Sequence, residues 1–192
     1  MEKLTGLKKI KTAIFISGTG SNLKNIIRFS KLKKSPITID LIISNTHLAR
    51  GLKFADIFKI KKQIFNFTDF KKAEKNTLVL LKKKKIRFIC LAGFMKILSK
   101  EFIKKFDGEI INIHPSLLPK YKGLNTCSRA IKNKDKFAGC TVHYVTEKLD
   151  SGKIILQKKI KIMSSDNPTS LAKKILKQEH KLYPAAIMKI FN

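Results

Sequence analysis

Short β-branched apolar runs alternate with amphipathic stretches of helical length from the first residues to Pro115, and that alternation leaves few folds open. Thr12–Ile16, Ile37–Ile43, Gln63–Phe67, Ile86–Leu91 and Glu109–Ile113 read as strands. Between them, Leu23–Lys33, Arg50–Lys59, Asp69 to about Lys84, and Ser99–Phe106 read as helices, with Asp69 and Ser99 placed as N-caps. Strands separated by whole helices cannot pair as hairpins. Right-handed crossovers instead lay them parallel, with helices on both faces. The expected class is therefore α/β, a doubly wound and mostly parallel sheet flanked by helices.

After Pro115 the pattern changes. Pro115–Asn125 reads as a loop with two prolines and a glycine, and Thr126–Asn133 as a helix. Gly139–Val145 and Lys153–Ile162 read as two strands joined by a turn at Leu149–Gly152, a C-terminal antiparallel addition to the sheet. Asp166 or Asn167 with Pro168 opens a last helix to about Phe191. No internal repeat or linker interrupts the 192 residues, which suffice for one core without disulfide or metal support.

Three widely spaced cysteines, Cys90, Cys127 and Cys140, make neither a disulfide framework nor a zinc ribbon, and fit a reducing cytoplasm. The longest apolar run, Phe88–Met95, is far short of the ~20 residues of a membrane span. Lysines precede the first strand (Lys3, Lys8, Lys9), but Ala13–Ile16 is too short for the apolar part of a signal peptide. Neither a secreted nor a membrane-bound protein is expected.

A net charge of +29 suggests a polyanion partner. Its distribution argues otherwise. Only Arg28, Arg50, Arg87 and Arg129 are arginine, and the lysines run along the whole chain beside abundant Ile, Phe and Asn, as AT-rich codons would give. The densest run, Lys82–Lys85, ends a helix, where cations suit the helix dipole. A nucleic-acid module would cluster its cations among stacking aromatics, and this chain has no Trp.

Three motifs could carry chemistry. Ser17-Gly18-Thr19-Gly20-Ser21-Asn22 joins the first strand to the first helix. Its glycines permit a tight turn close to an anion, and the helix offers free N–H groups and its positive end. A merely capped turn would look similar, but the end of the first strand of a doubly wound sheet is where ligands sit. In Asn112-Ile113-His114-Pro115, Asn112 and His114 share one face of a strand end, and Pro115 keeps His114 extended. An amide donor beside an imidazole suits an oxyanion derived from a carbonyl; a satisfied histidine closing a strand is the plainer alternative. Asp150, before Ser151-Gly152, is either a turn residue or, if folded against His114, a carboxylate that favours the imidazolium. No histidine pair has metal-ligand spacing, and His143, between Val142 and Tyr144, reads as a core or supporting histidine.

Taken in order, Ile16–Leu23, Leu91–Ser99, Ile111–Pro119, the Asp150 loop, and Gln178-Glu179-His180 with Tyr183-Pro184 resemble the folate-dependent phosphoribosylglycinamide formyltransferases over nearly the whole chain. The resemblance implies a single formyltransferase domain over 1–192, with a Rossmann-like nucleotide half at 1–110 and a catalytic, folate-binding half at 111–192. It implies formyl transfer from 10-formyltetrahydrofolate, as co-substrate and without a metal, to the amine of 5'-phosphoribosylglycinamide. The products would be formylglycinamide ribonucleotide and tetrahydrofolate, in de novo purine (IMP) biosynthesis by a cytoplasmic monomer or homodimer.

By the same resemblance, Gly20, Ser21 and Asn22 would hold the phosphate and Glu179 the ribose hydroxyls. Met95, Lys96, Ile97 and Leu98, with Asn112, would line the folate pocket, and Lys71 would face the folate tail. Asn112 and His114 would stabilise the oxyanion, while Asp150 keeps His114 protonated and moves protons. Three positions depart from the family pattern: Lys96 replaces a more common Arg, and Asn125 and Cys127 fall in a segment that is commonly His-rich. The chain also ends without the tail some relatives carry, and leaves no room for the extra C-terminal domain of a methionyl-tRNA formyltransferase.

Overall fold

A computed structural model describes residues 9–191; Lys3 and Lys8, weighed above, lie outside them. Five strands arise where the β-branched runs predict them: β1 (Ile10–Ile16), β2 (Ile37–Ser44), β3 (Lys62–Ile64), β4 (Phe88–Leu91) and β5 (Glu109–His114). All are parallel. β6 (Phe137–Tyr144) and β7 (Ile154–Lys161) then add antiparallel, giving one sheet in the order β3-β2-β1-β4-β5-β6-β7.

Helices pack on both faces because the strands alternate two apolar sets. Ile14, Ile16, Ile42, Phe88, Cys90 and Ile111 meet α1 (Ser21–Ser30) and the long α6 (Pro168–Phe191) through Leu23, Ile26, Ile27, Leu171 and Ile187. Ala13, Phe15, Leu41, Ile43 and Ile89 face the other way, toward Leu81 of α3 (Phe70–Lys83) and Phe102 of α4 (Lys100–Lys105). Phe15 stands edge-on to Phe94 and Phe102 there. Asp69 caps α3 by accepting from Lys72 N, and Ser99 caps α4 by accepting from Phe102 N.

Two elements differ from expectation. Arg50–Lys59 is a 3-10 turn at Arg50–Leu52 followed by a short α2 (Lys53–Ile57). Gly51 lies against the backbone of Gly20, and its N–H donates to Gly18 O, which tightens the helix entry. The strand expected at Gln63–Phe67 is instead the three exposed residues Lys62–Ile64 of β3, a short edge strand of the kind that resists edge-to-edge pairing.

The chain leaves β1 toward β2 on one side and reaches β4 on the other, so the order reverses between β1 and β4. A crevice opens at their carboxyl ends, the usual ligand position in such sheets. Ser17, the first residue past β1, and Gly93, two residues past β4, join across it through Ser17 N–H to Gly93 O, and Met95 N–H donates to Ser17 Oγ. Behind the crevice, the buried hydroxyl of Tyr183 donates to Leu91 O at 2.9 Å and lies 3.3 Å from Ile111 O, tying α6 to β4 and β5. Tyr183→Phe leaves those carbonyls without that donor, and should lower unfolding free energy by about 1–3 kcal/mol in urea titrations.

Candidate active site

The crevice deepens into a cleft of about 460 Å³ whose walls come from both halves of the chain. One end holds Asn22 and Glu179, the middle Asn112, His114 and Asp150, and the other side Met95, Lys96, Ile97 and Leu98.

At the first end, Gly20 precedes α1 in the left-handed region (φ 76), and a Cβ there would stand 2.6 Å from Gly51 Cα. The turn therefore closes only with glycine. Gly20 offers no side-chain cap, so the first turn of α1, opened by Ser21, presents its N–H groups without a side-chain acceptor. Of the three loop residues Gly20, Ser21 and Asn22, only Asn22 lines the cleft. Its Nδ2 donates to Glu179 Oε2 at 2.7 Å, while its own Oδ1 is buried without a partner. Burial raises the Glu179 pKa, and the bond from Asn22 opposes that rise only in part.

In the middle, the period of two on β5 sets Asn112 and His114 on one face, and β6 lies antiparallel alongside with His143 directly opposite Asn112. His114 is 6 % exposed, His143 2 % and Asp150 8 %. Asp150 occupies a left-handed turn position (φ 45) after β6 and projects between the two imidazoles. Its Oδ2 is 3.4 Å from His114 Nδ1 and accepts from Gly123 N at 2.8 Å. Its Oδ1 is 3.5 Å from Asn112 Nδ2 and 3.6 Å from His143 Nε2.

Burial raises the Asp150 pKa. The His143 hydrogen bond, the Gly123 N–H and the positive charge of His114 and His143 outweigh it, leaving the carboxyl below its ordinary range. His143 Nδ1 lies 2.8 Å from Tyr144 O, so that nitrogen carries a hydrogen. The Nε2 of His143 faces both the Asp150 carboxylate and Asn112 Nδ2, which sits 3.3 Å from it.

Both His114 nitrogens have protein neighbours. Nε2 donates to Tyr121 O at 2.8 Å, and Nδ1 has only the longer Asp150 contact. The ring is thus held between the Tyr121 carbonyl and the Asp150 carboxylate. The sequence motifs did not announce Tyr121 O or Gly123 N, because backbone groups carry no residue signature. His143 could have been found by sliding Gly139–Val145 along Glu109–Ile113 until two polar residues paired.

The far wall is apolar and open. Met95 (64 % exposed), Ile97, Leu124 and Leu149 leave large apolar surface at the mouth, while Leu98 is buried beneath. Isolated exposed apolar residues are ordinary, but four on one cleft rim form a surface for a flat ring. Lys96 and Lys148 also line the cleft. Lys71 is not among the residues lining it and borders a separate groove with Glu74, Lys75 and Phe102. Burial raises the Cys127 thiol and pushes Cys140 up to about 12, so neither is a thiolate near neutrality. Among the described residues, no group of three or more His, Cys, Asp or Glu could hold a metal ion, and no helix is long and apolar enough to cross a membrane.

Residues 10–187 match the family model described as formyl transferase. The chain is 41% identical over 180 residues to a phosphoribosylglycinamide formyltransferase of Haemophilus influenzae, covering 92% of this chain and 85% of that protein. It is 39% identical over 183 residues to the human trifunctional purine biosynthetic protein adenosine-3, covering 94% of this chain but only 18% of that longer protein. The crystal structure of phosphoribosylglycinamide formyltransferase from Brucella melitensis superposes with a TM-score of 0.91 at 41% identity, covering 95% of this chain and 96% of that one.

The lowered Asp150 pKa has a pH consequence. The folded-state pKa lies below the unfolded one, so the charged form stabilises the fold above the ordinary carboxylate range, and that contribution disappears as pH falls through the folded pKa. Asp150→Asn keeps a residue that tolerates the left-handed turn. Wild type should be the more stable at pH 7, and urea titrations at decreasing pH should show the gap closing on the acid side of the carboxylate range.

Proposed function

The chain belongs to the formyl transferase family, and from that premise we propose that it transfers the formyl group of 10-formyltetrahydrofolate to the amine of 5'-phosphoribosylglycinamide. The products are formylglycinamide ribonucleotide and tetrahydrofolate, in purine (IMP) synthesis. The observation that carries this reading is the meeting of Asn112, His114 and Asp150 in one cleft, between the Asn22–Glu179 pair and the apolar mouth at Met95–Leu98. The relatives' names support phosphoribosylglycinamide as the formyl acceptor.

Each end of the cleft suits one substrate. The uncapped first turn of α1 at Gly20, Ser21 and Asn22 takes the phosphate. Glu179 takes ribose hydroxyls, and the unpartnered Asn22 Oδ1 accepts a hydrogen from the same ligand. Met95, Ile97 and Leu98 hold the folate ring, while Lys96 offers a point charge without the planar fork of an arginine.

Chemistry then follows from charge. The amine nitrogen attacks the formyl carbon, the bond from that carbon to folate N10 breaks, and one proton passes from the amine to N10. Negative charge grows on the formyl oxygen, where Asn112 Nδ2–H donates and His114, gripped by Tyr121 O and Asp150, supplies positive charge. Asp150 receives the amine proton directly or through a water and returns it to N10. Its lowered pKa keeps it ionised and able to balance an imidazolium beside it.

The direct test is a spectrophotometric formyl-transfer assay run with and without each substrate; turnover should require both. Asn112→Asp is nearly isosteric but places a carboxylate where the oxyanion forms. It should cut kcat at least about 10²–10³-fold, the loss typical of one oxyanion donor, with the protein still folded by circular dichroism; near-normal turnover would remove Asn112 from this role. Asn22→Ala should weaken ribonucleotide binding by calorimetry and leave folate binding nearly unchanged, whereas the reverse result would reassign that end of the cleft.

A further inference from the structure

Both long-range contacts that fix the acid–base pair run through one short segment. Tyr121 gives its carbonyl to His114 Nε2, and Gly123 gives its N–H to Asp150 Oδ2, each at 2.8 Å. That segment is left-handed at Tyr121 (φ 56), Gly123 (φ 75) and Asn125 (φ 58). Glycine and asparagine adopt that region readily, but at Tyr121 the Cβ makes it cost about 1–2 kcal/mol, so the loop needs outside restraint there.

Arg129, on the helix α5 (Thr126–Lys132) that follows the loop, supplies that restraint. Its Nη1 donates to Lys122 O at 2.7 Å and lies 3.4 Å from Leu124 O, the two carbonyls flanking Gly123. Its guanidinium also lies over the Tyr121 ring, 5.0 Å from the centroid. Beyond the ring, the Tyr121 hydroxyl donates to Asp135 Oδ2 and accepts from Asn133 Nδ2, both at 2.9 Å. The ring is therefore fixed at its face and its tip, and its own carbonyl is aimed at His114.

We propose that Arg129 is a positioning residue for formyl transfer: by clamping the carbonyls of Lys122 and Leu124 and the ring of Tyr121, it holds Tyr121 O on His114 and Gly123 N–H on Asp150. It touches neither substrate end of the cleft. This inference rests on reading the cleft as the formyl-transfer site.

Arg129→Met removes the fork while keeping the side-chain length, and Arg129→Lys keeps one charged donor. In Arg129→Met, exchange of the Gly123 amide, followed by NMR, should accelerate at least about tenfold as the loop opens locally. Turnover should fall on the order of 10–100-fold, as misplaced catalytic groups produce, with the ribonucleotide KM held within about twofold. Arg129→Lys should recover part of both losses.

A folded Arg129→Met with wild-type Gly123 exchange and kcat overturns the proposal. So does a variant whose loss lies in KM alone. Should Arg129→Met fail to fold, Arg129→Lys, which cannot both hold the loop carbonyls and stack on the Tyr121 ring, carries the same readouts, and wild-type exchange and kcat there overturn it equally. A wild-type protein inactive with both substrates would sink the reading of the cleft. Gly123 exchange in the variants would still decide whether Arg129 holds the loop.

Discussion

A carboxylate can be taken out of water only where donors and positive charge replace its hydration, and Asp150, 8 % exposed, imposes that demand on everything around it. Meeting it takes a backbone N–H from the 115–125 loop, an imidazole from β5 and another from β6. These come from three separate stretches of chain. The antiparallel register of β5 on β6 places Asn112 opposite His143 and so brings amide, imidazoles and carboxylate within about one hydrogen bond of each other. The local order of the site is a consequence of solvating one charge.

Glu179 answers the same problem differently. It is equally buried, but its hydrogen-bond partner is the neutral amide of Asn22, so burial prevails and its pKa rises where that of Asp150 falls. Two carboxylates in one cleft are thus separated by environment: one is held ionised beside imidazoles, the other is eased toward its protonated form beside a binding loop. The bond from Asn22 to Glu179 also joins the beginning of the chain to its last helix. A substrate spanning that bond touches both the 1–110 and the 111–192 portions.

Much of the architecture was legible in the sequence because it rests on local patterns. β-branched runs gave β1, β2, β4 and β5, and Asp69 and Ser99 marked helix starts through side chains that do cap. What was not legible depends on distant backbone. The break in Arg50–Lys59 comes from Gly51 meeting Gly20, and no periodicity records that contact. Lys71 sits on a helix whose face is set by where Leu81 packs, which carries it to another groove. Asn112, His114 and Asp150 stood out as residue types, but Tyr121 O and Gly123 N, which orient them, are main-chain atoms available at almost any residue.

The surface charge belongs to a different level of organisation from the site. Lysine ion pairs such as Lys62–Asp56 and Lys105–Glu101 are exposed at both partners, where each contributes little and salt screens it. Arg129 is used in another way. Arg129 points its donors at loop carbonyls and its plane at an aromatic ring, a pair of contacts that a lysine can make only singly. In a chain whose 42 basic residues include only four arginines, that geometry cannot be supplied by the surrounding lysines. The bulk of the charge therefore sets the long-range field, while the placement of Asp150 and His114 turns on short, directional contacts.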